Sequence, residues 1–385
     1  MQRTADIVII GGGVNGTSIA YYLASKGAKN IILLERENIA AGSTGKSAGI
    51  MTHYFPDPFM TELDLKAGEI LRNFQTQVGA EIDYTRSDYL YLLPHSDILH
   101  FKKAIALYKQ KNIPIAELSM DDIERLSPAL TAEGVGIAAM VRDAAYADAH
   151  SVAMGYAQAA EQKGVSILRG LGAVGIKMRN GKVKAVVTAK GEIETNVIVN
   201  AAGPWAKVIG LMAGIELPIE LLRHQAMLFR PPFEIKFQAS DLVHKVYFRP
   251  EAGGYMLVGG GQDDDERIKN PEFFNHGADT DLVADLGARV TTRIPAFAES
   301  EYITGWSGLL DCTPDWHPLL GKVPRFDGLY LACGFSGHGF HLAPMTGILL
   351  AELIVDGQYK TAEGTALSIE RFQKGPIFRR SFLDT

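Results

Sequence analysis

The chain has 385 residues, 47% of them hydrophobic and 21% charged, with a formal net charge of −6. That length exceeds one compact core, so two domains are expected, and an acidic balance without a basic run excludes a nucleic-acid partner. Only two cysteines, Cys312 and Cys333, are present. They cannot build a disulfide framework and fit a reduced, cytoplasmic compartment, with attachment to a membrane surface left open.

In chain order, DIVII at 6–10 reads as a buried parallel strand, entered directly from MQRTA without a signal-peptide pattern. GGGVNG at 11–16 follows, and TSIAYYLASKG carries apolar residues at helical spacing up to Gly27. NIILLE at 30–35 is a second strand, which completes a βαβ unit. After the loop AGSTGKSAGI at 41–50, a helix is predicted over about 59–78. Residues 80–140 mix short strands such as DYLYLLP with amphipathic helices such as SDILHFKKAIALYKQ. HSVAMGYAQAAEQKG at 150–164 is another helix, followed by the strand VSILRG. GKVKAVVTAKGEIETNVIVNAAG at 181–203 reads as a hairpin feeding a buried strand that ends at Gly203. Residues 220–275 are rich in strand patterns, HQAMLFRPP, KVYFRP and GYMLVGG, and DTDLVADLGARVTTRIP is a helix. Near the end come GLYLA, a second glycine loop, GFSGHG at 334–339, and a helix from Pro344 over PMTGILLAELIVDG. The apolar run in that helix is too short to span a bilayer.

The pattern predicts an α/β chain, α+β overall. A discontinuous Rossmann-like nucleotide-binding domain is expected over 1–80, 141–218 and 320–385. A mixed-sheet domain over 81–140 and 219–319 is interleaved with it.

Gly11, Gly13 and Gly16 form G-x-G-x-x-G between a strand and a helix. Gly11 permits the tight turn, Gly13 lets a pyrophosphate approach the backbone, and Gly16 lets the helix pack on the strand. The helix N-terminus, with Val14 and Asn15 in its opening turn, then faces the phosphates with unpaired N–H groups. Glu35 ends the second strand, where a carboxylate can bond an adenosine ribose and repels a 2′-phosphate. This motif alone leaves FAD and NAD open. The loop after Glu35 and Arg36 suits a cofactor that extends away from the first strand. The second glycine loop would let backbone lie against a flat redox ring, with a helix N-terminus directed at it.

These segments resemble the D-amino-acid oxidase superfamily of flavoproteins, in the branch of sarcosine oxidase, glycine oxidase and the β subunit of dye-linked proline dehydrogenases. The resemblance is carried by IVIIGGGVNGTSIAYYLASKG at 7–27, LLER at 33–36, GSTGKSAGI at 42–50 and VIVNAAGPWA at 197–206. It continues through YFRPEAGGYMLVGG at 247–260, TPDWHPLLG at 313–321 and GLYLACGFSGHGFHLAPMTG at 328–347. It implies an FAD enzyme that oxidises a C–N bond of an amine or amino acid by hydride transfer to flavin N5, giving an imine that water hydrolyses. Sarcosine, dimethylglycine or proline is the favoured kind of substrate. A quinone, a dye-like carrier or O₂ would take the electrons, and assembly with itself or another chain is left open. The superfamily also implies two alternatives: oxidation of a hydroxy acid or polyol phosphate, and a flavin-bearing subunit of a larger electron-transfer complex.

Residue by residue, the resemblance implies FAD contacts at Gly11, Gly13, Val14, Asn15, Gly16, Glu35 and Arg36, and in the second loop at Ser43, Thr44, Lys46 and Ser47. Val174, Ala202 and Gly203 would lie near the adenosine half. Gly308, Gly337, His338, Gly339, Phe340 and His341 would flank the ring. The chain also departs from sarcosine oxidase. Gly308 stands where that enzyme has the cysteine that binds FAD, which implies non-covalent FAD. His341 stands at its substrate lysine, and Thr52, beside His53, at its early arginine. YMLVGG lacks its oxygen-activating lysine, which favours a dehydrogenase. The catalytic candidates are therefore His341, Arg249, Tyr247 and His53, with Arg249 and Tyr247 on one face of a strand. His224, His317 and Trp306 carry no argument beyond their neighbourhood. QDDDE at 262–266 reads as a solvated acidic loop, and no metal is expected.

Overall fold

The computed structural model describes residues 4–373, apart from Tyr54 and Ser127. Residues 1–3 and 374–385, at the two ends of the expected nucleotide-binding segments, lie outside the described residues.

Ile7–Ile10 is buried along its whole length because both its faces are covered. It sits inside a six-stranded sheet of order Leu319–Lys322, Leu329–Cys333, Ile198–Asn200, Ile7–Ile10, Ile31–Glu35 and Ser166–Arg169. All pairs are parallel except the outermost, Leu319–Lys322 with Leu329–Cys333. Ile7 and Ile9 point into a core shared with helices Val14–Ser25, Ala149–Gln162 and Gly339–Val355. Val8 and Ile10 point into a second core under helix Ala206–Met212 and the antiparallel strands Ala173–Arg179, Lys182–Thr188 and Gly191–Glu194. The next strand in sequence lies on one side of Ile7–Ile10 and a much later one on the other. This is a switch point, with its crevice at the strands' carboxyl ends.

The strand-rich middle builds a larger sheet. Its order is Glu266–Ile268, Glu220–Arg230, Tyr255–Gly260, Val246–Glu251, Phe237–Asp241, Asp88–Leu93, Ile137–Val141 and Ile115–Leu118. Glu301–Cys312 also pairs with Glu220–Arg230, placing Gly308 opposite His224. Helix Thr280–Arg293 covers one face, packing Leu286 and Val290 with Met227, Phe248 and Val258. Alternation along the strands turns His224 and Tyr247 to the opposite face.

Two helix boundaries differ from the sequence reading. The helix expected over 59–78 is two helices, Pro58–Arg72 and Phe74–Val78. The break is Asn73, whose side chain bonds the Glu69 carbonyl at 2.9 Å. The last helix starts at Gly339, five residues before Pro344. Proline in the second turn forgoes one N–H bond. The turn is anchored from outside, by Ser18 Oγ donating to the Ala343 carbonyl at 2.7 Å.

Candidate active site

The two glycine loops meet. Gly13 caps helix Val14–Ser25 and His338 caps helix Gly339–Val355, neither with a side-chain bond to the helix backbone. Asn15 Nδ2 donates to the Gly339 carbonyl at 3.1 Å, bringing the two N-termini side by side. Their convergence makes a positive-ended, donor-rich wall. Gly11, at φ 113°, could not carry a side chain, since a Cβ there would lie 2.4 Å from the Ala201 carbonyl. A Cβ at Gly16 would lie 1.9 Å from the Gly11 carbonyl, so this glycine serves the packing of helix on loop. Glu35 holds the loop from below, accepting from the Gly12 and Glu37 N–H groups, each at 2.7 Å.

Loop 41–49 closes over the first helix. Thr44 Oγ1 accepts from Val14 N at 3.1 Å. Ser43 Oγ donates to the Leu309 carbonyl at 2.6 Å, and Trp306 Nε1 to the Lys46 carbonyl at 3.1 Å, tying the loop to the large sheet. The second glycine loop is gripped by Asp311, whose Oδ2 accepts from Gly334 N at 2.6 Å. Burial pushes the Asp311 carboxyl up to about 6 against these backbone donors. Burial and the neighbouring His317 push His338 down to about 4, so it is neutral at pH 7.

Between the loops and the large sheet lies a cavity of about 1010 Å³. Its outer end is latched. The Arg36 guanidinium stacks 4.0 Å from the Trp205 ring centroid, and both side chains donate to Glu272 Oε1 at 2.5 Å. Its inner wall carries Tyr89, Ser240, Tyr247 and His224. His224 Nδ1 lies 2.8 Å from Asp265 Oδ1, and its Nε2 lies 2.9 Å from the Tyr247 hydroxyl. Burial opposes charge on His224, but Tyr247 and then Asp265 outweigh it and push its pKa up to about 10.

Most residues expected at the site line this one cavity. Gly11, Gly13, Val14, Asn15, Glu35 and Arg36 lie along its first loop, and Ser43, Thr44, Lys46 and Ser47 along its second. Ala202, Gly203 and Gly308 flank it, and Gly337, His338, Gly339, Phe340, His341 and Tyr247 complete the lining. Val174 is 59% exposed and follows directly on Gly172 and Ala173, which line the cavity. Two expectations need correcting. Arg249 lies beyond the cavity's edge. Its Nε donates to the Ala48 carbonyl at 2.6 Å, its Nη2 pairs with Glu251 at 2.8 Å, and it covers the Tyr146 ring. It braces loop 41–49 rather than facing a ligand. His53 lies behind the cavity, its Nδ1 2.5 Å from Asp64. Asp64, fully buried, also lies 2.9 Å from His341 Nδ1. Burial alone would raise the Asp64 carboxyl, but His341 and then His53 hold it well below the usual range.

Asp64, His224 and Asp265 were missed as site residues. Asp64 left a signal, a carboxylate on the buried stripe Met60, Leu63, Ala67 and Leu71. Asp265 left none, being one acid within an acidic run.

The profile of the DAO family, FAD-dependent oxidoreductases, matches residues 6–353. The chain belongs to that family. The cavity fits FAD on its own chemistry: a loop cradle in which a Cβ at Gly11 or Gly16 would collide with backbone, two helix N-termini brought side by side, and a carboxylate at the end of the second strand. Sarcosine oxidase subunit β from Rhodobacter capsulatus is 25% identical over 99% of this chain and 91% of that protein. The mitochondrial pyruvate dehydrogenase phosphatase regulatory subunit of Mus musculus is 29% identical over 97% of this chain, which spans only 44% of that protein. Among solved structures, an L-proline dehydrogenase from P. horikoshii superposes with a TM-score of 0.89 at 27% identity, covering 99% of this chain and 100% of that one. Among the described residues no cluster of histidines, cysteines and carboxylates is arranged for a metal, and no helix is long and apolar enough to cross a membrane.

Proposed function

We propose that this protein is an FAD-dependent dehydrogenase that oxidises the C–N bond of a small secondary or tertiary amine bearing a carboxylate, with sarcosine, dimethylglycine and proline as the substrate type. One observation carries the reading. The donor wall of the two glycine loops and the polar wall of Tyr247 and His224 face each other across one cavity. The similarity to sarcosine oxidase subunit β and to L-proline dehydrogenase supports the choice of C–N chemistry.

FAD, when bound, supplies the two-electron acceptor. The chain's own residues supply position. The Asn15 N–H and the first glycine loop would meet the pyrophosphate, with Val14 N held by Thr44 Oγ1, while Glu35 would meet the ribose, and loop 41–49 with residues 337–341 the ring. Gly308 leaves room for Lys46, since a Cβ at 308 would lie 2.8 Å from Lys46 Cβ. A cysteine does not fit there, and the proposal is that FAD is held without a covalent bond. Tyr247 offers a hydroxyl to the substrate. His341, set between the cavity and buried Asp64, would add positive charge at the opposite end when protonated. In this reading, segments 1–80, 141–218 and 320–385 hold the cofactor, and 81–140 and 219–319 frame the substrate. Met256, Leu257 and Val258 are buried and apolar where a lysine would activate oxygen. A quinone or dye-like carrier is therefore the proposed acceptor rather than O₂, in a reduced, cytoplasmic setting.

A second reading is a flavin-bearing subunit without turnover of its own, favoured by the similarity to the phosphatase regulatory subunit. An anaerobic screen of amines, amino acids and hydroxy acids for loss of flavin absorbance separates the two. Bleaching by secondary amino acids supports the enzyme. An unchanged spectrum with every compound supports the subunit.

A further inference from the structure

Asp265, His224 and Tyr247 form a line that ends on the cavity. Asp265 stands within the acidic run 262–266, yet only 3% of its side chain is exposed. The backbone just before it is folded back, with Asp264 accepting from Gly261 N at 3.1 Å and pairing with Arg289 at 2.9 Å. That turn brings Asp265 to the cavity's lining beside His224, where its Oδ1 meets His224 Nδ1 at 2.8 Å. An ionised carboxylate only accepts, so Nδ1 carries a proton and donates. The His224 ring lies nearly parallel to the Tyr247 ring, at 13°, and its Nε2 is 2.9 Å from the Tyr247 oxygen.

We infer that Asp265 and His224 are positioning residues that fix the Tyr247 hydroxyl as an outward-pointing donor, and so select substrates carrying an anionic oxygen on that side of the cavity. The inference rests on the amine-oxidising reading given above and deepens it. With His224 protonated on both nitrogens, Nε2 donates to the Tyr247 oxygen. The tyrosine's own proton then has nowhere to point but the cavity. The Asp265 carboxylate, 2.8 Å from Nδ1, favours that positively charged state. A fixed donor backed by a cation strengthens a hydrogen bond to a carboxylate and offers little to an ester. Were His224 neutral at Nε2, the direction would reverse. Tyr247 would donate inward, and its lone pairs would favour an ammonium.

The test uses flavin-replete wild-type protein and the variants Tyr247→Phe, His224→Gln and Asp265→Asn. The probes are methoxyacetate and tetrahydrofuran-2-carboxylate, unreactive isosteres of sarcosine and proline, together with their methyl esters. Binding is followed by calorimetry. Tyr247→Phe should weaken both carboxylates by roughly 10- to 100-fold and leave the esters within about threefold, the scale of one hydrogen bond to a charged group. His224→Gln and Asp265→Asn should show the same selective loss with the phenol intact. In turnover, KM for a carboxylate-bearing amine should rise much more than kcat falls. Carboxylate affinity unchanged in His224→Gln and Tyr247→Phe overturns the inference. So does an equal loss for acid and ester, which would mark a merely structural role. Tighter carboxylate binding in His224→Gln would show the reversed proton order. If no amine reduces the flavin, the enzyme reading fails, while these affinities still decide whether the line selects an anion.

Discussion

Glu35 does two things with one carboxylate. It holds the first glycine loop through Gly12 N, and in the proposed function it also meets the ribose. Replacing it with Ala should weaken FAD binding by about 1–3 kcal/mol, the scale for bonds to an ionised acceptor, and titration of apoprotein with FAD measures it. An unchanged dissociation constant would put the ribose elsewhere. Asp64 makes a pH prediction. Its folded pKa lies below its ordinary 3.8, so the stability it contributes is present above that value and is lost as pH falls below it. Asp64→Asn should flatten the acid limb of a stability–pH curve taken by urea unfolding between about pH 5 and 2. Parallel limbs would mean that the histidine pair gives Asp64 no net stabilisation. At this scale the sequence was legible where a residue type has one job, as with Gly11, Gly16 and Glu35. It was misleading for Arg249. Strand parity put Arg249 on the same side as Tyr247, but parity says nothing of where a long side chain ends. Here a carbonyl, a carboxylate and an aromatic ring beyond the cavity's edge take the guanidinium.

Elements were legible where one pattern covers them. Ile7–Ile10 and Ile31–Glu35 are apolar on both faces because layers cover both, and helix Thr280–Arg293 shows one apolar stripe. Glu301–Cys312 escaped notice, although at twelve residues it forms the seam opposite Glu220–Arg230. Gly305 and Gly308 break its alternation. The tertiary reason for both glycines, close approach of Ala278 and of Lys46, is invisible in one dimension. The helix that begins at Gly339 was read as starting at Pro344, since proline favours a first turn. Contacts from Ser18 and Asn15, more than three hundred residues away, extend it. Helix Thr280–Arg293 is locked to the sheet by its last residue. Arg293 Nε bonds Asp241 Oδ2 at 2.6 Å, and both side chains are fully buried. Arg293→Met should destabilise the protein by about 3–5 kcal/mol, because it leaves the Asp241 carboxylate buried without its cation. Denaturant melts measure this. A loss under about 1 kcal/mol would show that water or another donor replaces the guanidinium.

Across the whole molecule, two glycine loops more than three hundred residues apart serve one cavity because their strands lie close in one sheet. Ile7–Ile10 and Leu329–Cys333 are separated there only by Ile198–Asn200. The large sheet supplies the opposite wall, which is why a cofactor cradle and a polar pocket share one space. We propose that this space oxidises a C–N bond with FAD. The measurement that tests it most directly is an anaerobic single turnover of the flavin-replete protein with the best amine from the screen, with reduced flavin and carbonyl or imine product counted together. Equal amounts of the two are expected, with faster reoxidation by an artificial dye than by O₂. Flavin that stays oxidised with every amine, or is reduced without a carbonyl or imine product, would contradict it.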